Sequence, residues 1–392
     1  MNRDVYITGL GIISSIGTGK EAFLEGLLSA RNGPGPIKGL DVEGYRIGRG
    51  GEVREGGVPQ GEGRGLGLAL RAANEAIADA GIERLPENTA VALGSGSGEM
   101  HAMEATLSPR EDELLLDYPD PLQPPNSMTS KLAKRLEVRG RQLTFVNACA
   151  AGAQAIAVSA GLVRRGRADV ALAGGVEILS HMVLSGFEAL RAVSPTGCHP
   201  FDAGRDGIQL AELGAVVLLE SADHARSRGA QPYARLAGSG ASADASHVVK
   251  PDEAGAGAVL ALRRALEDAG LTPDDIDYVN AHGTGTVQND PAELAALVSV
   301  FGERTARIPI SSTKSMLGHA LGASGAAEVV ICALAMRHGF LPPTAGFRRP
   351  IEGYEAFDFV PNEARPAPGL RNIVSNAFAF GGNNVVLVLS RA

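Results

Sequence analysis

Four short segments carry residue types that could do chemistry together. Cys149 sits in NACAAGAQAIAVSAGLVRR, beginning at Asn147, where an apolar run ends and small, helix-compatible residues follow at once. A thiol at a helix N-terminus feels the positive end of the macrodipole, which favours the nucleophilic thiolate. Read alone, Cys149 fits a nucleophile and a small buried hydrophobe equally well. Cys332, inside VVICALAM, reads as the hydrophobe. His282 lies in NAHGTGT (Asn280–Thr286), after the strand-like IDYV and among glycines that let a side chain project into a cleft. SSTKSMLGH (Ser311–His319) repeats that arrangement with Lys314 and His319. SNAFAFGGNN (Ser375–Asn384) sets Phe378 and Phe380 before a glycine pair. In isolation this is a bulged loop; beside a nucleophile it could supply a backbone N–H donor and an aromatic gate. A single loop histidine is ordinarily a surface residue, whereas two histidines and a lysine in turns resembling the cysteine turn suggest one site. The remaining histidines default to surface or core. The adjacent Cys198 and His199 are given no role, because sequence neighbours rarely converge on one metal.

Something must hold these turns together, and the chain alternates β-branched runs with Ala-rich helical stretches, the pattern of a layered α/β fold. Strands are expected at Val5–Thr8, Ala90–Leu93, Leu143–Val146, Val170–Ala173, Ala215–Leu219, Tyr278–Asn280, Ile308–Ser311, Ile373–Ser375 and Val385–Leu389. Helices are expected at Gly65–Ala80, Ala150–Arg165, Gly257–Ala269, Pro291–Phe301 and Ala320–Arg337. Self-similarity is visible: AIADAG ends at Gly81 and ALEDAG at Gly270, and the glycine turns at Gly94 and Gly283 keep the same offset, 270 − 81 = 283 − 94 = 189. LTFV (from Leu143) and IPIS (from Ile308) are offset by 308 − 143 = 165, so the first half carries extra chain, assigned to Glu99–Met128. Chance likeness between Ala/Gly-rich helices is the competing explanation, and two matching offsets in order favour duplication. Under the second offset Cys149 corresponds to Lys314, and the two turns face each other across a pseudo-twofold axis.

Composition bounds the function. The 392 residues include 44% hydrophobic and 20% charged, enough apolar material for a sizeable core. A formal charge of −8, 4% aromatics and no Trp argue against a nucleic-acid-binding role. Three cysteines without CxxC spacing speak against a disulfide framework or structural zinc. No run approaches the ~20 apolar residues of a membrane span, and the N-terminal segment reads as a buried strand, so a soluble, cytoplasmic protein is expected. Nucleotide motifs do poorly. Gly17–Ala22 meets a relaxed GxGxxA, but the strand before it ends about ten residues too early. The same stretch is no phosphate loop, and GSGSG at Gly94–Gly98 is out of register for a serine elbow.

Together the segments resemble the elongating β-ketoacyl-acyl carrier protein synthases, a branch of the thiolase-fold condensing enzymes, along nearly the whole chain. The opening VYITGLGIISSIG and the mid-chain HPFDAGRDG resemble the family too. The resemblance implies a layered αβαβα fold of two duplicated halves, residues 1–225 and 226–392. It makes Cys149 the acyl-accepting nucleophile, completed by His282 and His319. Lys314 and Glu328 match a supporting ion pair; Asp290, with Thr284 and Thr286, belongs to the HGTGTxxxD stretch. Phe380 becomes the gate of the acyl pocket, with a backbone N–H in the oxyanion hole. The implied reaction joins a Cys-bound acyl chain to a decarboxylating malonyl thioester, without metal or redox cofactor. The implied partners are an acyl carrier protein and a second ketosynthase-like subunit, in a homodimer or a heterodimer. With the dipole activating the thiol, both histidines are left to face the charge that develops during decarboxylation. The chain departs from the family at Ile208, Gln209 and Leu213, at a shortened RAVSPTGC stretch, and at Ala379 in place of a loop glycine. Lys131, Lys134, Arg135, Arg139 and Arg141 cluster locally and fit a solvated face at least as well as a docking patch. AELGA and HGTGTVQND lean towards specialised polyketide or polyene synthesis over primary fatty-acid elongation. The competing readings are a thiolase working on coenzyme A thioesters and a non-catalytic chain-length-factor-like subunit. The first should carry a second cysteine in the C-terminal half in place of the paired HGTGT and KSMLGH histidines, and the second should lack Cys149.

Overall fold

The computed structural model describes residues 3–54, 63–107, 124 and 126–392. Ten strands make up nearly all of its main sheet. The first five are β1 (Val5–Ser14), β2 (Ala90–Gly94), β3 (Gln142–Phe145), β4 (Val170–Glu177) and β5 (Leu213–Ser221). The second five are β6 (Ala234–Ala243), β7 (Tyr278–Asn280), β8 (Ile310–Ser311), β9 (Asn372–Ala379) and β10 (Asn383–Ser390). Their order is β8-β7-β9-β10-β6-β1-β5-β4-β2-β3, with the two-residue strand Gly17–Thr18 attached to β1. Each set of five repeats one internal order, and the directions repeat as well. β2 is parallel to β3 and β4, β7 is parallel to β8 and β9, and every other neighbouring pair is antiparallel. The sets join only where Tyr6 pairs with Arg235 and Ile7 with Ala234.

Strands buried on both faces read as continuous apolar runs, and these alternate between two cores. In β4 and β5, Val170, Leu172, Val216 and Leu218 pack outward against helix α1 (Arg64–Asp79). Ala171, Ala173, Ala215 and Val217 pack inward, onto α2 (Ala151–Arg164) and α4 (Leu321–His338). In the second set Val374, Val386 and Val388 pack outward on α3 (Ala256–Ala269), while Ile373, Val385 and Leu387 face the same inner helices. The result is five layers, αβαβα, as the resemblance implies. α4 is buried from Leu321 to Met336, which explains its lack of a polar face.

Of these ten strands, one was not expected. β6, ARLAGSGASA, has almost no β-branched residue and reads as a loop. It is a strand because its small residues let α3 press onto the sheet: a Cβ on Gly240 would stand 2.1 Å from the Ala261 carbonyl oxygen. The helices Lys20–Leu28, Asn126–Arg135 and His181–Ala189 were also not expected. Of the extra chain assigned to 99–128, residues 108–123 and 125 lie outside the described residues.

The correspondence of Cys149 with Lys314 needs correction. Strand ends nearly keep the offset, 311 − 145 = 166, but helix starts do not, since 321 − 151 = 170. The second half inserts a helical turn, Lys314–Leu317, between its strand and helix. Counted from the helices, the counterpart of Cys149 is His319, as 319 − 149 = 170. The backbone agrees: Ala148 (φ 49°) precedes Cys149 and Gly318 (φ 82°) precedes His319, both left-handed.

Candidate active site

Cys149 is held on a 3-10 turn, Ala148–Ala150, that runs directly into α2. A left-handed residue with a side chain costs roughly 1–3 kcal/mol and persists only where its surroundings impose it. At Ala148 that conformation turns the chain so that the next side chain faces a cavity rather than the helix. The sulfur is 3.1 Å from His319 Nε2, and the backbone N–H groups of Phe380 and of Cys149 itself also reach it. Burial nevertheless pushes the thiol up to about 12, with Lys314 pulling it down and Glu177 raising it. Desolvation thus works against the thiolate that the helix dipole favours. The imidazole in reach of the sulfur is that of His319.

His319 is fixed from both sides. Its backbone N–H donates to the Gln209 carbonyl (2.6 Å), and its Nδ1 is 2.9 Å from the Ser324 hydroxyl. His282 stands edge-on to it, ring centroids 5.4 Å apart at 81°. Burial, with the nearby charge of Lys314, holds both imidazoles well below the usual histidine range, so both are neutral at physiological pH. Lys314 Nζ donates to the His282 carbonyl (2.6 Å), lies 3.4 Å from His282 Nδ1 and pairs with Glu328. An ammonium can only donate, so Nδ1 of His282 is the acceptor and its ring proton belongs on Nε2. Glu328 is itself pushed up to about 7 by burial, against the pull of Lys314.

The loop carrying His282 is tied down by two carboxylates from the helix Asn289–Phe301. Glu293 accepts the N–H groups of His282 and Gly283, each at 2.8 Å, and a third bond from Asn376. Asp290 accepts from Phe201, Thr284, Gly285 and Asn289. Asp290 thus shapes the loop and the HPFD segment rather than contacting either histidine ring. The Thr284 and Thr286 hydroxyls are 3.1 Å apart, and both residues line the cavity.

That cavity holds about 310 Å³, with Cys149, His282, His319, Phe378 and Phe380 on its wall. Phe380 stacks on Phe187, centroids 5.8 Å apart and planes at 21°, so one wall is a pair of aromatic rings, one on the helix His181–Ala189 and one on the turn Phe380–Gly382. The structure brings Cys149, His282, His319, Lys314, Glu328 and Phe380 into one place. Cys198 is drawn to the same loop, its thiol 3.3 Å from the Thr284 carbonyl, and Cys332 lies in the core. All three cysteines are free and buried. Among the described residues no cluster of His, Cys, Asp or Glu is arranged to hold a metal ion, and no helix is long and apolar enough to cross a membrane.

Three contributors escaped the sequence. Glu293 falls three residues after Asp290 on one helix face, a spacing that could have flagged it. Glu177, at the end of β4, gathers the N–H groups of Gly96, Ser97 and Gly322, which locks the two halves together beneath Cys149. Neither it nor Ser324, which sits in the featureless LGASGAAE, gives any local signal.

Residues 2–225 match the family model described as beta-ketoacyl synthase, N-terminal domain, and residues 233–348 the C-terminal domain of the same family. The chain is 36% identical to a 3-oxoacyl-[acyl-carrier-protein] synthase 2 of Coxiella burnetii, over 99% of each chain. Among solved structures it is similar to the ishigamide ketosynthase/chain length factor, with TM-score 0.91, 36% identity and full coverage of both chains. It is also similar to a type II PKS ketosynthase solved with its acyl-carrier protein and a bound hexaketide, with TM-score 0.92, 30% identity and full coverage of both chains.

Proposed function

The chain belongs to the β-ketoacyl synthase family and is an acyl-transferring condensing enzyme of thiolase-like fold; from that premise we propose that it condenses a Cys149-bound acyl chain with malonyl-acyl carrier protein. The observation that carries the reading is the 3.1 Å approach of His319 Nε2 to the Cys149 sulfur at the wall of the cavity.

In the first half-reaction His319 accepts the thiol proton while the sulfur attacks the carrier-bound thioester. The backbone N–H groups of Cys149 and Phe380 then stabilise the tetrahedral oxyanion. In the second half-reaction the malonyl group loses carbon dioxide. Negative charge develops on its thioester oxygen, and the Nε2–H groups of the two neutral imidazoles meet it. Each such donor supplies roughly 3 kcal/mol of barrier lowering. The carbanion then attacks the acyl-Cys149 carbonyl. Lys314, balanced by Glu328, fixes the His282 tautomer; Asp290, Thr284 and Thr286 hold the loop that carries it. Phe380, stacked on Phe187, closes the acyl pocket when Cys149 is unloaded.

The partners of this reading are an acyl carrier protein and a second ketosynthase-like subunit, and its setting is the cytoplasm. The chain is read as two functional halves, 1–225 with the nucleophile and 226–392 with the proton-handling groups. Support comes from the repeated strand order. The test is incubation with an acyl-carrier protein bearing a hexanoyl chain, then with malonyl-carrier protein. Intact mass should gain one hexanoyl group at Cys149, and carbon dioxide should then appear one-for-one with β-ketoacyl product. Condensation without a Cys149 adduct would sink the proposal.

A further inference from the structure

The two imidazoles differ in what stands behind them. Nδ1 of His282 faces an ammonium, which allows one tautomer. Nδ1 of His319 faces the Ser324 hydroxyl at 2.9 Å, and a hydroxyl both donates and accepts. Both residues are buried, so whichever way the ring is protonated its Nδ1 must find a partner inside the protein.

The proposed reaction asks His319 for opposite things. To take the thiol proton, Nε2 must carry a lone pair, with the ring proton on Nδ1. To meet the malonyl oxygen, Nε2 must carry a proton, with a lone pair on Nδ1. We propose that Ser324 is the positioning residue that makes both tautomers of His319 available, by rotating its hydroxyl between accepting from Nδ1–H and donating to Nδ1. The inference rests on the roles proposed for Cys149 and His319.

The proton count closes. In acyl transfer the Cys149 proton passes to Nε2, the sulfur forms the new thioester, and the proton leaves from Nε2 to the sulfur of the departing carrier thiol. His319 is left neutral with its proton on Nδ1. Exchange with water entering the cavity between the two carrier proteins then moves the proton to Nε2, and the hydroxyl turns to follow it. No net proton is gained or lost.

Ser324→Ala separates the two tasks, because it removes the partner and barely changes volume. A buried N–H without an acceptor is worse tolerated than a buried lone pair, so the variant should settle on the Nε2–H tautomer. Hexanoyl transfer to Cys149, followed by mass, should slow about tenfold, the scale of one lost buried hydrogen bond. Carbon dioxide release from malonyl-carrier protein should change by less than about threefold by the same reckoning. Nitrogen-15 NMR of histidine-labelled protein should show both ring tautomers of His319 in the native chain and only Nε2–H in the variant. Equal slowing of both half-reactions, unchanged rates in both, or the same His319 tautomer in both proteins would overturn the proposal. Cys149→Ala checks the underlying reading separately: a hexanoyl adduct that survived there would sink the role of Cys149 and leave the tautomer measurement standing.

Discussion

The turn at Cys149 and the turn at His319 occupy matching places at the starts of α2 and α4, yet they are built differently. The first runs from β3 into its helix with only Val146–Ala150 between, and it reaches a left-handed backbone with an alanine. The second spends an extra helical turn, Lys314–Leu317, and makes its left-handed step with Gly318. The extra turn places the ammonium of Lys314 behind His282 and against Glu328. Duplication thus supplied two facing positions, and an insertion in one of them separated nucleophile from proton handling. The first turn carries a thiol and no ionised partner of its own. The second carries an imidazole 3.1 Å from that thiol and an ammonium whose charge adds to burial in lowering both histidines.

That contrast can be broken by substitution. Cys149→Ala should abolish the acyl adduct and the condensation while leaving the far-ultraviolet circular dichroism unchanged; residual condensation would remove the first turn from the chemistry. Lys314→Ala leaves Glu328 buried and unpaired, which should cost about 3–5 kcal/mol of stability in urea unfolding. Lys314→Met with Glu328→Leu should recover most of that loss, because the pair is removed together. A single substitution as harmless as the double one would mean the charges are not coupled. His282→Ala should reduce malonyl decarboxylation by at least ~10²-fold with little effect on acylation, whereas His319→Ala should reduce both. Identical profiles for the two would erase the distinction between the imidazoles. The smallest effects test the backbone. Gly318→Ala forces a Cβ to 2.9 Å from the Gln209 carbonyl at φ 82°, and should cost about 1–3 kcal/mol by thermal unfolding. Ala148→Gly relieves the same strain and should change stability by less than about 1 kcal/mol.

A layered α/β fold was legible because β-branched runs and Ala-rich helices follow simple periodicity, its five-layer form because of the family resemblance, and the candidate site because its residues sit in short motifs at strand ends. What escaped depends on contacts between distant segments. β6 is a strand only because α3 needs small residues beneath it. Burial opposes the thiolate that the dipole favours, and burial comes from the whole fold whereas a helix dipole is a local property. The match of Cys149 with His319 was hidden by one helical turn, because an offset taken from strands does not survive an insertion before the next helix. Ser324 is an ordinary small residue in its own helix. Its significance comes from the bend at Leu321, whose φ of 39° folds the helix start back over the imidazole five residues earlier.

The hydrogen bond between Cys149 and His319 also sets a schedule. Its partners are separated by 170 residues. At about 5–20 residues per second, a ribosome reaches His319 roughly 9–34 s after Cys149. For that interval the nascent chain carries its thiol without the imidazole that stands 3.1 Å from it in the finished fold. The full set of groups around the thiol is therefore assembled when the second half docks and not when Cys149 is synthesised.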